Sequence, residues 1–161
     1  MNPRTKNHLC LIIWVVALIA IGWIIGSLTK AEISTWYNTL NRSSLTPPNY
    51  VFPVAWTILY GAIGACGWVI WREPSFPKLR VIKILYVVQL VLNWSWTPLF
   101  LHYHLIGLSL VILGSMDILV GIIIWPSYPK IRSVSLLMIP YLLWILFASY
   151  LNFYIWQNFQ P

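Results

Sequence analysis

Gln89, Asn93, Trp96 and Phe100 recur at i, i+4, i+7 and i+11, which places two amides and two rings on one face of a helix. An amide in an apolar stretch either bonds to a neighbouring helix or offers a polar handle to a ligand, and both readings are open here. In an earlier segment Trp56 and Tyr60 stand one turn apart behind Pro47, Pro48 and Pro53, prolines that suit a stiff approach and a first helical turn. In a later one Tyr141, Trp144, Ala148, Leu151 or Asn152, and Ile155 form a stripe, with Pro140 near its start mirroring Pro53 and Ala148 leaving room beside an indole. Trp56, Trp96 and Trp144 therefore each share a face with small or polar neighbours. Such a set suits a flat ligand that stacks on rings and is fixed at its edge by an amide.

Other chemistry is sparse. Asp117 is the only acid well inside an apolar run, which makes it a candidate ligand or proton group; the bland alternative is a bond to Ser115, Ser109 or a neighbouring helix. His102 and His104 could bind metal, but on a helix a two-residue spacing turns the rings to different faces, so no metal is expected. Cys10 and Cys66 lack a CxxC spacing and read as small apolar residues. Glu32 and Glu73 read as loop charges. A phosphate loop, a nucleophile elbow and a Cys–His constellation are all missing, so hydrolysis and phosphoryl transfer are not expected.

The positioning elements follow from composition. Of 161 residues, 60% are apolar and only 8% charged, against about 25% charged in soluble domains. The mean hydropathy is +0.77. Five runs reach the length that crosses a bilayer as a helix: Leu9–Leu28, Val51–Trp71, Leu79–Leu101, Leu105–Trp125 and Val134–Trp156. They are apolar on all sides, unlike barrel strands, so the expected fold is an all-α membrane protein, a five-transmembrane-helix bundle in one domain over residues 1–161. The first run is longer than a signal-peptide core and lacks a clean cleavage site, so it reads as a retained span. Trp14, Trp23, Trp68, Trp71, Trp125 and Trp156 read as belt anchors or packing.

The first link, 29–50, is the longest; its Trp36, Tyr37 and Leu40 suit a short amphipathic helix lying over the bundle mouth. Arg4, Lys6, Arg72, Lys78, Arg80, Lys83, Lys130 and Arg132 fall on one side of the spans and only Lys30 and Arg42 on the other, which predicts a cytoplasmic N-terminus. The net charge of +7 is thus loop charge rather than a nucleic-acid stripe. Gly22 and Gly26, Gly61, Gly64 and Gly67, and Gly107, Gly114 and Gly121 suggest close helix contacts.

Five stretches together, in order, resemble the translocator protein family, also called tryptophan-rich sensory proteins or peripheral-type benzodiazepine receptors. They are Trp36-Tyr37-x-x-Leu40, Leu45-Thr46-Pro47-Pro48, Phe52 to Trp56 with Leu59-Tyr60, Gln89 to Phe100, and Pro140 to Asn152. The resemblance covers about Trp36 to Asn158. It implies a homodimer of five-helix bundles that binds porphyrins, sterols and isoquinoline carboxamide drugs, needs no resident cofactor, and promotes light-dependent oxidative breakdown of protoporphyrin, with a role in tetrapyrrole regulation or stress sensing. By motif match Trp56 and Trp144 carry that photochemistry. Tyr37, Pro47, Phe52, Trp56, Tyr60, Asn93, Trp96, Thr97, Phe100, Trp144, Phe147, Ala148 and Leu151 line the pocket. The chain departs from the family where Gln157 replaces the basic residue closing its sterol pattern, where Ile112 stands at the usual span-four acid, and in lacking small-xxx-small spacing in span three. The alternative is a carrier for porphyrins, sterols or other amphipathic solutes, although repeated halves and broken helices are not evident. A proton antiporter would want an acid in an early span, and a quinone-linked thiol oxidoreductase would want paired cysteines.

Overall fold

The computed structural model describes residues 3–159, with the side chains of Pro3, Arg4 and Lys6 outside the described set, so the two N-terminal cations of the orientation argument are not placed. The described residues form helices and no strands: α1 Pro3–Leu28, α2 Lys30–Thr35, a 3-10 turn Tyr37–Thr39, α3 Val51–Arg72, α4 Leu79–Leu101, α5 Ile106–Ser127 and α6 Arg132–Asn158. α1, α3, α4, α5 and α6 are long and apolar enough to cross a membrane. Apolar side chains such as Ile13, Val16, Ile58, Val81, Val111 and Ile118 stand more than half exposed on their outer faces. That surface fits lipid, and a helix satisfies its own backbone there. The chain is a multi-pass integral membrane protein.

Prolines set several boundaries. The Val51 N–H donates to the Pro48 carbonyl at 2.9 Å, and Pro53 sits in the first turn of α3, where its missing N–H has no helical acceptor to lose. α3 stops before Pro74, and α4 starts after Pro77. Pro140 departs from expectation: α6 begins at Arg132, so this proline lies two turns inside the helix rather than near its start.

α1 packs on α3, α3 on α6, α6 on α5 and α5 on α4, and lighter contacts of α4 with α1 and α3 close the ring. Glycine makes the α1–α3 seam. A methyl on Gly64 would come 2.8 Å from the Val15 Cα, so only hydrogen fits this backbone approach. Gly22 is likewise pressed against the Tyr60 ring, and Gly67 against Trp14 and Tyr86. A Cβ added at Gly114 or Gly121 of α5 would meet nothing within 4 Å, so of that heptad series only Gly107, against Trp156, is tightly approached.

At the end where α3 finishes and α4 starts, the basic end, the core is closed. Ile63, Ile82, Tyr86, Met116, Ile123 and Met138 are at most 1% exposed. Tyr86 donates its hydroxyl to the Ile63 carbonyl at 2.8 Å, and Trp14 and Trp71 pack on its ring. The opposite end, the mouth, is covered by residues 29–50. The helix expected around Trp36 is displaced: α2 precedes it, and Trp36, Tyr37 and Leu40 follow in and around the 3-10 turn. Their rings and side chains nonetheless pack over Phe100, Ile106 and Ile155.

Candidate aromatic binding site

Beneath the cap the rings contributed by three helices meet. Trp56 of α3 lies 5.6 Å from Tyr60, 6.4 Å from Trp96 and 6.4 Å from Tyr141, centroid to centroid. Trp96 stacks on Phe100 at 5.7 Å with planes 7° apart, and Phe100 meets Tyr37 at 6.1 Å and Trp36 at 5.6 Å. A continuous run of rings therefore descends from the cap to Trp56. Trp144 belongs to a second group, against Phe52 at 6.1 Å and Phe147 at 6.0 Å. The two groups join through α3, where Phe52 and Trp56 are one turn apart.

Burial separates these rings from the core. Trp56, Trp96 and Trp144 are only part-buried, as are Phe52, Thr97, Phe147 and Pro47. Tyr60, Asn93, Phe100, Ala148 and Leu151 are buried. The indole N–H groups of Trp96 and Trp144 are shielded from solvent and have no acceptor. An unmet buried donor costs about 1–3 kcal/mol, so each would gain from a ligand oxygen.

The amides take the interhelical role. Tyr60 donates to Asn93 Oδ1 at 2.5 Å, Asn93 Nδ2 donates to the Tyr141 hydroxyl at 3.0 Å, and Tyr141 donates to Gln89 Oε1 at 2.9 Å. This chain ties α3, α4 and α6 together directly under Trp56. Asn93 is thus both floor and strut, and the Gln89 Nε2 is left without an acceptor. Asp117 accepts from Ser149 of α6 at 2.8 Å, while Ser115 and Ser109 donate to the Val111 and Leu105 carbonyls. Of the partners expected for Asp117, the neighbouring helix holds.

The cap is fastened by residues that sequence spacing did not connect. His102 and His104 lie in the α4–α5 turn, not on a helix, so their rings converge: His102 Nδ1 is 3.5 Å and His104 Nε2 3.7 Å from the Glu32 carboxylate. Glu32 is consequently a docked residue of α2 rather than a loop charge. His104 adopts a left-handed backbone, φ 56°, and its ring stacks under Trp36 at 3.9 Å. Among the described residues, no group of three or more His, Cys, Asp or Glu side chains is arranged to hold a metal ion. Ser43 shares a 2.9 Å hydrogen bond with Tyr150 of α6, which pins the other side of the cap. The Arg42 guanidinium sits 5.0 Å above the Tyr37 ring. Burial pushes the Tyr37 phenol above its ordinary range, and Arg42 pulls part of the way back.

The remaining tryptophans behave as anchors or packing. Trp125 is 84% exposed and Trp23, Trp71 and Trp156 are also exposed, whereas Trp14 packs against Trp71 and Tyr86, and Trp68 lies under Arg72.

Comparison with known proteins bears on the whole of this arrangement. Residues 14–157 match the model of the TspO/MBR family. The tryptophan-rich protein TspO of Archaeoglobus fulgidus is 38% identical over 150 residues, which is 93% of this chain and 97% of that one. The translocator protein of Bos taurus is 33% identical over 141 residues, 86% of this chain and 83% of that one. The protein CrtK of Rhodobacter capsulatus is 29% identical over 125 residues, 76% of this chain and 77% of that one.

Proposed function

From the premise that the chain belongs to the TspO/MBR family, we propose that its mouth binds tetrapyrroles of the protoporphyrin type and, under light, promotes their oxidative breakdown. The observation that carries this reading is the run of rings from buried Phe100 to part-buried Trp96 and Trp56, flanked by unmet indole donors at Trp96 and Trp144. A macrocycle entering between α3, α4 and α6 would stack on these rings, each such pair adding about 0.5–1.5 kcal/mol beyond burial. Its carbonyl or carboxylate oxygens would meet the indole N–H groups. Tyr37, Pro47, Phe52, Tyr60, Thr97, Phe147, Ala148 and Leu151 complete the walls, and Asn93 braces the floor. Isoquinoline carboxamides and sterols would share the site.

In the photochemical step the excited, bound macrocycle takes an electron from an indole, Trp56 or Trp144, and passes it to dioxygen. The indole radical cation then recovers an electron from the macrocycle, whose radical cation combines with the superoxide, so that both oxygen atoms end as carbonyls on the opened ring. The same reading takes the protein as a homodimer in the cell membrane, with the basic end cytoplasmic and the mouth facing out, since six of the eight Lys and Arg residues with described side chains, Arg72, Lys78, Arg80, Lys83, Lys130 and Arg132, lie at the basic end. The test is the decay of protoporphyrin fluorescence under illumination with purified wild type, Trp56→Phe and Trp144→Phe. Slower decay in the variants is expected; unchanged decay in both removes the indoles from the mechanism.

A further inference from the structure

At the mouth a polar cavity of about 600 Å³ opens among Leu40, Asn41, Arg42, Ser43, Thr46 and Pro47. Leu40 also packs on the cluster of Tyr37, Phe100, Ile106 and Ile155, against which Trp96 lies. The cavity therefore adjoins the top of the ring run. Two of its polar side chains are engaged within the cap. Ser43 is bonded to Tyr150 and accepts the Leu45 N–H at 3.2 Å, and Asn49 donates to Asn38 at 3.2 Å. Arg42 differs. Glu32 faces His102 and His104 instead, and no described carboxylate lies within 4.0 Å of the Arg42 guanidinium. Lys30 and Arg42 are the only cations at this end. Arg42 is held over Tyr37, and Tyr37 touches Phe100, which stacks on Trp96. One cation thus stands at the head of an unbroken aromatic path.

We propose that Arg42 is the anchor for a carboxylate on the ligand's edge, so that the site selects planar aromatic ligands with acidic side chains over their neutral counterparts. The inference rests on the tetrapyrrole reading above. The planar guanidinium matches a carboxylate through two parallel N–H bonds, a geometry that lysine cannot reproduce. With the ring stacked below and one acid held above, that carboxylate lies toward the membrane surface.

The test uses the full chain in nanodiscs of phosphatidylcholine, titrated with protoporphyrin IX and with its dimethyl ester, which keeps the ring and loses both charges. Wild type binds the diacid about tenfold more tightly than the ester, the scale of one charge-assisted bond. Arg42→Gln removes that preference by weakening the diacid about tenfold and leaving the ester unchanged; Arg42→Lys restores part of it. The unchanged ester affinity reports an intact pocket. Equal affinity for diacid and ester in wild type, or equal weakening of both in Arg42→Gln, overturns the anchor while leaving ring binding in place. Failure of wild type to bind either porphyrin overturns the anchor and the tetrapyrrole reading together.

Discussion

At the basic end Tyr86 is fully buried, with its hydroxyl on the Ile63 carbonyl, and Ile82, Met116, Ile123 and Met138 close around the core. At the mouth Trp56, Trp96 and Trp144 keep part of their surface open, and the indole N–H groups of Trp96 and Trp144 are buried without an acceptor. The same five helices supply both ends, so the difference lies in which side chains each end carries. At the basic end glycines and aliphatic side chains interdigitate closely, and in lipid such packing is the main force between helices. Trp14 and Trp71 of that end close on Tyr86, whereas the indoles at the mouth leave part of their faces, and two buried donors, for something else. The closed end holds the helices in register; the mouth is where the chain trades its own packing for binding.

Substitutions that cross this division test it. Gly64→Val has the largest expected effect. The added side chain meets the Val15 backbone, which cannot move without parting α1 from α3, at a cost of about 3 kcal/mol. A fall in the thermal midpoint of the detergent-solubilised protein checks this; an unchanged midpoint denies the seam. Asn93→Leu comes next, with a loss of about 1–2 kcal/mol as the Tyr60 and Tyr141 hydroxyls lose their shared partner. Because Asn93 lies at the boundary of the two ends, both the midpoint and porphyrin affinity fall. Trp96→Phe divides the ends cleanly: affinity drops about fivefold, near 1 kcal/mol, while the midpoint holds. Glu32→Gln is smaller still, about 0.5 kcal/mol or less, because its contacts with the His102 and His104 rings are partly solvated. It is read as faster porphyrin dissociation through a looser cap. The smallest effect is on pH. The folded state holds the Tyr37 proton more tightly than the unfolded chain does, so its contribution is complete below the ordinary phenol value of 10.0 and fades as pH rises above it. Trp36 emission should report that loosening only in strong alkali.

The helices were legible because lipid leaves few options: five apolar runs of spanning length read directly as five spans, and α3 starts where its prolines allow. The ring stripes were legible too, since helical spacing alone aligns Trp56 with Tyr60 and Trp96 with Phe100. What spacing could not reveal was pairing across helices. Tyr141 reads in sequence as one more aromatic of the α6 stripe, yet it is the group that joins Asn93 to Gln89. The fastening of the cap was hidden for a different reason. His104 needs a left-handed backbone to bring its ring under Trp36, and the helical assumption for His102 and His104 pointed their rings apart. Pro140 misled similarly, because a proline marks a helix start only when no helix already precedes it.

The central claim is that the part-buried rings at the mouth receive a planar guest. Titration of the purified protein with protoporphyrin IX in the dark, following tryptophan emission, tests it most directly. Saturable quenching that weakens in Trp56→Phe and in Trp96→Phe, and persists in Trp125→Phe on the lipid face, is the predicted result. Quenching that never saturates, or that all three variants share equally with wild type, would contradict it.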